Sequence, residues 1–272
     1  MIAFQDVSKS FGKKQVLDSI SFEVARGEIL FILGKSGMGK SVTLKHIVGL
    51  LKPDRGEVRV NGRNVTQATA VELSAIRRDC GMVFQHPALL DSLTILENVA
   101  FGLKTPQFVL SQPDQRPLPE GEIRSRVLET LSHVNLGEDL LNRMPTELSY
   151  GMQKRVSLAR TLAPMPSVLL FDEPTTGLDP ITTNAVNDLI FDLSRKLQVT
   201  SIVVSHDMQC ALKIADRILV LDQAKILAVG PVDSILKSEE LLVREFLEET
   251  LALLPPDQRN AAAWKLRRST HA

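Results

Sequence analysis

Gly34-Lys35-Ser36-Gly37-Met38-Gly39-Lys40-Ser41 is the stretch on which the reading of this chain turns. The apolar run Ile29-Leu-Phe-Ile-Leu33 precedes it, and Leu44, Ile47, Val48 and Leu51 follow at helical spacing. Strand, glycine-rich turn and helix in that order form the setting of a phosphate-binding loop. Glycines let the backbone curl with its N–H groups turned inward around phosphate oxygens. The helix behind adds the positive end of its dipole. In such a loop Lys40 reaches the β- and γ-phosphates and Ser41 holds Mg2+.

A second acidic element completes that site. Val168-Leu-Leu-Phe171 reads as a buried strand and ends on Asp172-Glu173. An acidic pair at the end of a strand beside a phosphate loop can orient Mg2+ through Asp172 and polarise an attacking water through Glu173.

The whole chain sets limits on this reading. It has 272 residues, enough for one large domain or two small ones, and 44% of them are apolar. Lys+Arg and Asp+Glu both number 32, so bulk attraction to nucleic acid is not expected. Cys80 and Cys210 lack metal-site spacing and suit buried or idle thiols in a reducing compartment. The start Met1-Ile-Ala-Phe-Gln-Asp6 does not read as a signal peptide. No apolar run approaches the ~20 residues that span a bilayer.

Periodicity places the other elements. Ile2–Val7, Ser19–Val24 and Ile29–Leu33 read as strands, with turns at residues 11–14 and 26–27. A helix over 40–51 is expected to end near Lys52-Pro53-Asp54, followed by strands at Glu57–Val60 and Gly81–Gln85. Residues 86–150 look mainly helical: Leu96, Val99, Ala100 and Leu103 mark one helix, and Ile123, Val127, Leu128, Leu131 and Val134 another. The Pro-rich stretch Lys104–Glu120 between them reads as an exposed loop. Val186, Leu189, Ile190, Leu193 and Leu197 mark a later helix, Thr200–Val204 a strand, and Arg217–Leu221 with Lys225–Val229 a hairpin. The predicted fold is α/β: a P-loop NTPase core with a mostly parallel sheet and an inserted α-helical subdomain.

Taken in order, the motifs resemble those of the ATP-binding cassette (ABC) family over roughly residues 2–235. Gly34 to Ser41 resembles Walker A, and Phe171-Asp172-Glu173-Pro174 resembles Walker B with its catalytic glutamate. Gln85 is similar to the Q-loop glutamine, Leu148 to Gln153 to the signature, Asp179 to the D-loop aspartate and His206 to the switch histidine. Phe11 matches the aromatic that stacks on adenine. The resemblance implies that the N-terminal strands form an antiparallel β-subdomain, and it implies ATP and Mg2+ as ligands. Phe11, Gly34, Lys35, Ser36, Gly37, Met38, Gly39, Lys40, Ser41 and Val42 would contact nucleotide. Ser41, Gln85 and Asp172 would surround the metal, and Lys40, Gln85, Glu173 and His206 would serve catalysis. It also implies head-to-tail pairing of two copies, with Ser149, Gly151 and Asp179 of one facing the nucleotide of the other. Tyr150 departs from the pattern, since the family usually has glycine there; either its ring projects aside, with a negative φ, or it weakens the contact.

Local stretches resemble a subset of that family, the ATPases partnered with MCE-domain proteins in Mla-type phospholipid transport. These are Gly39–Asp54, Val83–Asp91, Met144–Ser149 and Asp179–Thr182. The expectation is a peripheral subunit on the cytoplasmic side of the inner membrane, with a permease and an MCE-domain protein as partners. ATPases of lipoprotein release or solute import are the alternative, and a soluble cassette unrelated to transport a remoter one. A non-hydrolysing regulatory cassette normally lacks the catalytic glutamate, which this chain has as Glu173. Residues 1–235 are expected to form the cassette domain, with the helical subdomain at about 86–160. Residues 236–272 would form a C-terminal helical extension. There, Val243, Phe246 and Leu247 are expected to dock on the protein, and Trp264 with its basic neighbours to reach another subunit.

Overall fold

The structure, a computed structural model, describes residues 1–241, 243–245 and 247–248. Phe246 and Trp264 therefore lie outside the described residues. Two sheets carry the chain. A four-stranded antiparallel sheet has the order β2-β1-β4-β5, formed by Ile2–Phe11 (β1), Lys14–Val24 (β2), Arg55–Val60 (β4) and Arg63–Asn64 (β5). A six-stranded sheet has the order β10-β9-β3-β8-β7-β6. Its strands are Ile29–Leu33 (β3), Cys80–Val83 (β6), Val168–Asp172 (β7), Thr200–Ser205 (β8), Arg217–Asp222 (β9) and Lys225–Pro231 (β10). All neighbours in it are parallel except the β9–β10 hairpin.

The larger sheet separates two cores, and the alternation along its strands assigns residues to each. Ile29, Phe31, Leu33, Leu169 and Phe171 face a helical core. That core is built from Ile95–Ala100 (α3), Glu120–His133 (α5), Tyr150–Leu162 (α6), Pro180–Lys196 (α7) and Met208–Ile214 (α8). Leu30, Ile32, Val168 and Leu170 face the antiparallel sheet, Lys40–Ile47 (α1) and Ala70–Asp79 (α2). All five residues of β3 are fully buried. At ~1.5–3 kcal/mol for each large apolar side chain removed from water, β3 is a firm base for the loop that follows it.

Several boundaries differ from the sequence reading. The helix after the phosphate loop ends at Ile47, because Gly49 takes a left-handed φ of 63° and turns the chain toward β4. β6 ends at Val83, leaving Gln85 in the loop beyond. The stretch Lys104–Glu120 is not a plain exposed loop: it holds the short helix Pro106–Val109 (α4), whose Phe108 is buried among the helices. Beyond β10 comes Val232–Leu236 (α9), and Val243 and Leu247 are buried in the helical core. Among the described residues no helix is long and apolar enough to cross a membrane.

Candidate functional site

β3 delivers the glycine-rich loop to the carboxyl ends of the parallel strands, where such sheets bind ligands. Two glycines there are required by geometry. A Cβ on Gly34 would lie 2.2 Å from the Leu221 carbonyl oxygen. Gly39 has φ of 96° and would place a Cβ 2.7 Å from the Val16 carbonyl oxygen. These positions let the loop pass between β9 and β2 and enter α1 with its first N–H groups free for an anion.

The charged groups of the two motifs meet across this loop. Lys40 is 6% exposed, and its Nζ donates to the carbonyls of Gly34 at 2.7 Å and Lys35 at 3.1 Å. The same ammonium stands 3.5 Å from Glu173 Oε1. Ser41 Oγ donates to Asp172 Oδ1 at 2.7 Å. Both oxygens belong to the hard-donor type that Mg2+ selects, so the pair fits the ion. Glu173 Oε2 accepts from Thr176 Oγ1 at 3.0 Å and from His206 Nδ1 at 2.8 Å. Glu173 itself sits at φ 51°, a left-handed conformation that costs a non-glycine residue on the order of 1–3 kcal/mol. Its N–H donates to the Val204 carbonyl at 2.9 Å, which helps to hold it there.

A cavity of about 840 Å³ gathers most of the predicted residues. Phe11, Lys35, Ser36, Gly37, Gly39, Lys40, Ser41, Val42, Gln85, Asp172, Glu173 and His206 line it. Gly34 lies beneath, contributing its carbonyl to Lys40, and Met38 is partly buried beside the loop. Sequence reasoning missed Lys14, Val16 and Thr176, which also line the cavity. Lys14 pairs with Phe11 across the β1–β2 hairpin, so the hairpin reading already placed it near the mouth.

Ser149, Gly151 and Asp179 lie away from this cavity. Ser149 caps α6, its hydroxyl accepting from the Met152 N–H at 3.4 Å, as an N-cap serine should. Asp179 caps α7, accepting from the N–H groups of Ile181 and Thr182 at 3.0 Å. The Thr182 hydroxyl and these amides hold its carboxyl below the usual range. A Cβ on Gly151 would meet Thr182 Cγ2 at 3.3 Å, so the starts of α6 and α7 sit side by side. Tyr150 is helical, and its hydroxyl lies 3.4 Å from the Gln85 carbonyl oxygen and 3.3 Å from His86 Nδ1. The two cysteines are free and buried; desolvation pushes each thiol up to about 12.

The family model described as ABC transporter matches residues 17–176. The chain belongs to the ABC transporter ATPase family. It is 36% identical over 246 residues to the probable ribonucleotide transport ATP-binding protein Mkl of Mycobacterium leprae, covering 90% of this chain and 68% of that one. It is 38% identical over 261 residues to the methionine import ATP-binding protein MetN of Brucella abortus, covering 96% and 68%. Among solved structures it resembles the ATP-binding cassette MJ0796, a dimer in a post-hydrolysis state bound to ADP and Pi. That likeness has a TM-score of 0.75 and 33% identity over 85% of this chain and 99% of that one. CbiO1 of Clostridium perfringens, part of an ABC transporter complex, matches at a TM-score of 0.78 and 26% identity over 96% and 97%. The cassette is thus an ATPase, the ATP-hydrolysing subunit of an ABC transporter.

Proposed function

We propose that this cassette powers phospholipid movement between membranes, working at the cytoplasmic side of the inner membrane with a permease and an MCE-domain protein. The observation that carries its catalytic part is the contact of Glu173 with Lys40, Thr176 and His206 in one cavity. In this reading the backbone of Gly34–Ser41 and the Lys40 ammonium bind the phosphates, and Phe11 stacks on the base. Ser41, Asp172 and Gln85 would hold Mg2+, which when bound would supply charge stabilisation to the phosphate oxygens. Glu173 takes the proton from the attacking water, and His206 fixes the carboxylate through Oε2. A carboxylate held by two hydrogen-bond donors on Oε2, with the Lys40 ammonium 3.5 Å from Oε1, presents a fixed orientation to the water.

Two copies pair head to tail, so that Ser149 and the Gly151 N–H of one close over the γ-phosphate held by the other, with Asp179 facing the same nucleotide. The N-terminus of α6 supplies the anion-binding groups for that contact. Residues 1–235 act as the cassette and 236–272 as an extension; burial of Val243 and Leu247 supports docking of its first part.

The phospholipid reading is supported by the stretches Gly39–Asp54, Val83–Asp91, Met144–Ser149 and Asp179–Thr182, which resemble the MCE-partnered ATPases. Import of a small solute is the second reading, favoured by the 38% identity to a methionine import subunit. Affinity purification of the tagged chain from detergent-solubilised membranes, with mass spectrometry of proteins and lipids, separates them. Recovery of a permease, an MCE-domain protein and phospholipid is the expected result. A permease with a solute-binding protein instead would establish import.

A further inference from the structure

Lys154 lies on α6, one turn beyond Tyr150, and is 8% exposed. A buried ammonium must place its N–H groups on acceptors, because desolvation disfavours its charge. Both of its hydrogen bonds go to the segment directly after Glu173: to the Pro174 carbonyl at 2.8 Å and the Thr176 carbonyl at 3.2 Å. The Tyr150 ring covers the ammonium at 5.3 Å. Two bonds to carbonyls two residues apart fold residues 174–176 into a fixed curl. That curl sets the Thr176 hydroxyl, which donates to Glu173 Oε2 at 3.0 Å.

We propose that Lys154 is a positioning residue for Glu173, acting through the Pro174–Thr176 curl and the Thr176 hydroxyl. It thereby ties the carboxylate of a copy to that copy's own signature helix. α6 begins with Ser149 and Gly151, which face a second copy in the pairing proposed above, and three residues further on it grips the curl. One helix therefore joins the part that senses the neighbouring nucleotide to the part that aims the chain's own carboxylate. The inference rests on the reading of Glu173 as the group that activates water.

The test is steady-state ATPase kinetics of the full chain with Mg-ATP, together with thermal melts, for Lys154→Met, Lys154→Arg, Thr176→Val, the Met/Val double variant and Glu173→Gln. Lys154→Met is expected to lower kcat about 10- to 100-fold, as a small misplacement of a catalytic group does, with KM unchanged. Lys154→Arg, which still donates to carbonyls, recovers most of that loss. Thr176→Val lowers kcat similarly, and the double variant is no worse than the poorer single one. Wild-type kcat in Lys154→Met, or losses that multiply in the double variant, overturns the proposal. If the melt shows Lys154→Met unfolded, Thr176→Val and Lys154→Arg decide: unchanged kcat in the former, or in the latter a loss equal to that of Thr176→Val, overturns it. Activity retained in Glu173→Gln would instead overturn the reading of Glu173 itself.

Discussion

At the phosphate loop, Lys40, Ser41, Asp172, Glu173 and His206 form direct contacts around one cavity. At the adjoining starts of α6 and α7, Ser149 and Asp179 use their side chains to cap their own helices, and Gly151 lies against Thr182. The first region is organised by contacts between motifs more than 100 positions apart, such as Ser41 with Asp172. The second is organised locally, by side chains that accept from the N–H groups of the helix starts they cap. The difference teaches that, in the pairing proposed above, one chain would carry the phosphate-binding half of a site and, elsewhere on its surface, the edge that meets another copy's half.

The largest effect tests the first region. Glu173→Gln keeps the shape of the side chain but removes its basicity, so kcat is expected to fall about 100- to 10,000-fold, the usual worth of a general base. Nucleotide affinity, set by the loop and Lys40, is expected to stay within a few-fold, measured by equilibrium titration with ATP. Turnover comparable with that of the unsubstituted chain would break the account of the cavity.

The next effect tests whether the two regions belong to different copies. Ser149→Arg fills the start of α6 and is expected to abolish most turnover while leaving ATP binding to the single chain intact. Mixed with Glu173→Gln, it can form a pair with one sound site: its own phosphate loop and Glu173 against the partner's unaltered Ser149. A random mixture then recovers roughly a quarter of normal activity, since half the pairs are mixed and each has one working site of two. No recovery would break the head-to-tail comparison.

The sequence made the first region legible because its determinants are covalently local. The all-buried Ile29–Leu33 and Val168–Phe171 runs had to be central parallel strands, and a glycine-rich turn and an acidic pair stand directly at their ends. What escaped depends on closure in three dimensions. Val16 and Thr176 reach the cavity through strand register and loop curl, which no local pattern encodes, whereas Lys14 was within reach of the turn at residues 11–14. α2 was missed because Ile76 is its one fully buried residue, leaving no apolar stripe; its legible signal was the capping box of Thr69 and Glu72. α4 hid among prolines, although Pro106 after Thr105 is a sound helix start. α8 follows His206 at once, and Asp207 is its cap, so the reading of His206 had no helix to anchor it.

The smallest effect sharpens the comparison by acting beneath the first region. α1 starts at the phosphate loop and carries His46, which is fully buried. Its Nδ1–H donates to the Val42 carbonyl at 2.7 Å, and among the described residues its Nε2 has no hydrogen-bond partner. Desolvation lowers its pKa below the ordinary 6.5, and the nearby Lys9 adds to this; the Val42 carbonyl and Asp54 oppose it without cancelling it. The sign follows from proton counts. Between the lowered folded value and 6.5 the unfolded chain binds a proton that the folded chain refuses, so stability rises with pH in that window. The contribution is complete above about 6.5 and is lost as the pH falls toward the folded value, with a slope of at most about 1.4 kcal/mol per pH unit. Thermal melts of the unsubstituted chain and His46→Gln across this range measure it, glutamine being able to donate to the same carbonyl without titrating. The difference between their melting temperatures should shift against the unsubstituted chain on acidification. Parallel curves would mean that the phosphate-loop helix has no acid-sensitive group beneath it, and that the two regions respond to pH alike.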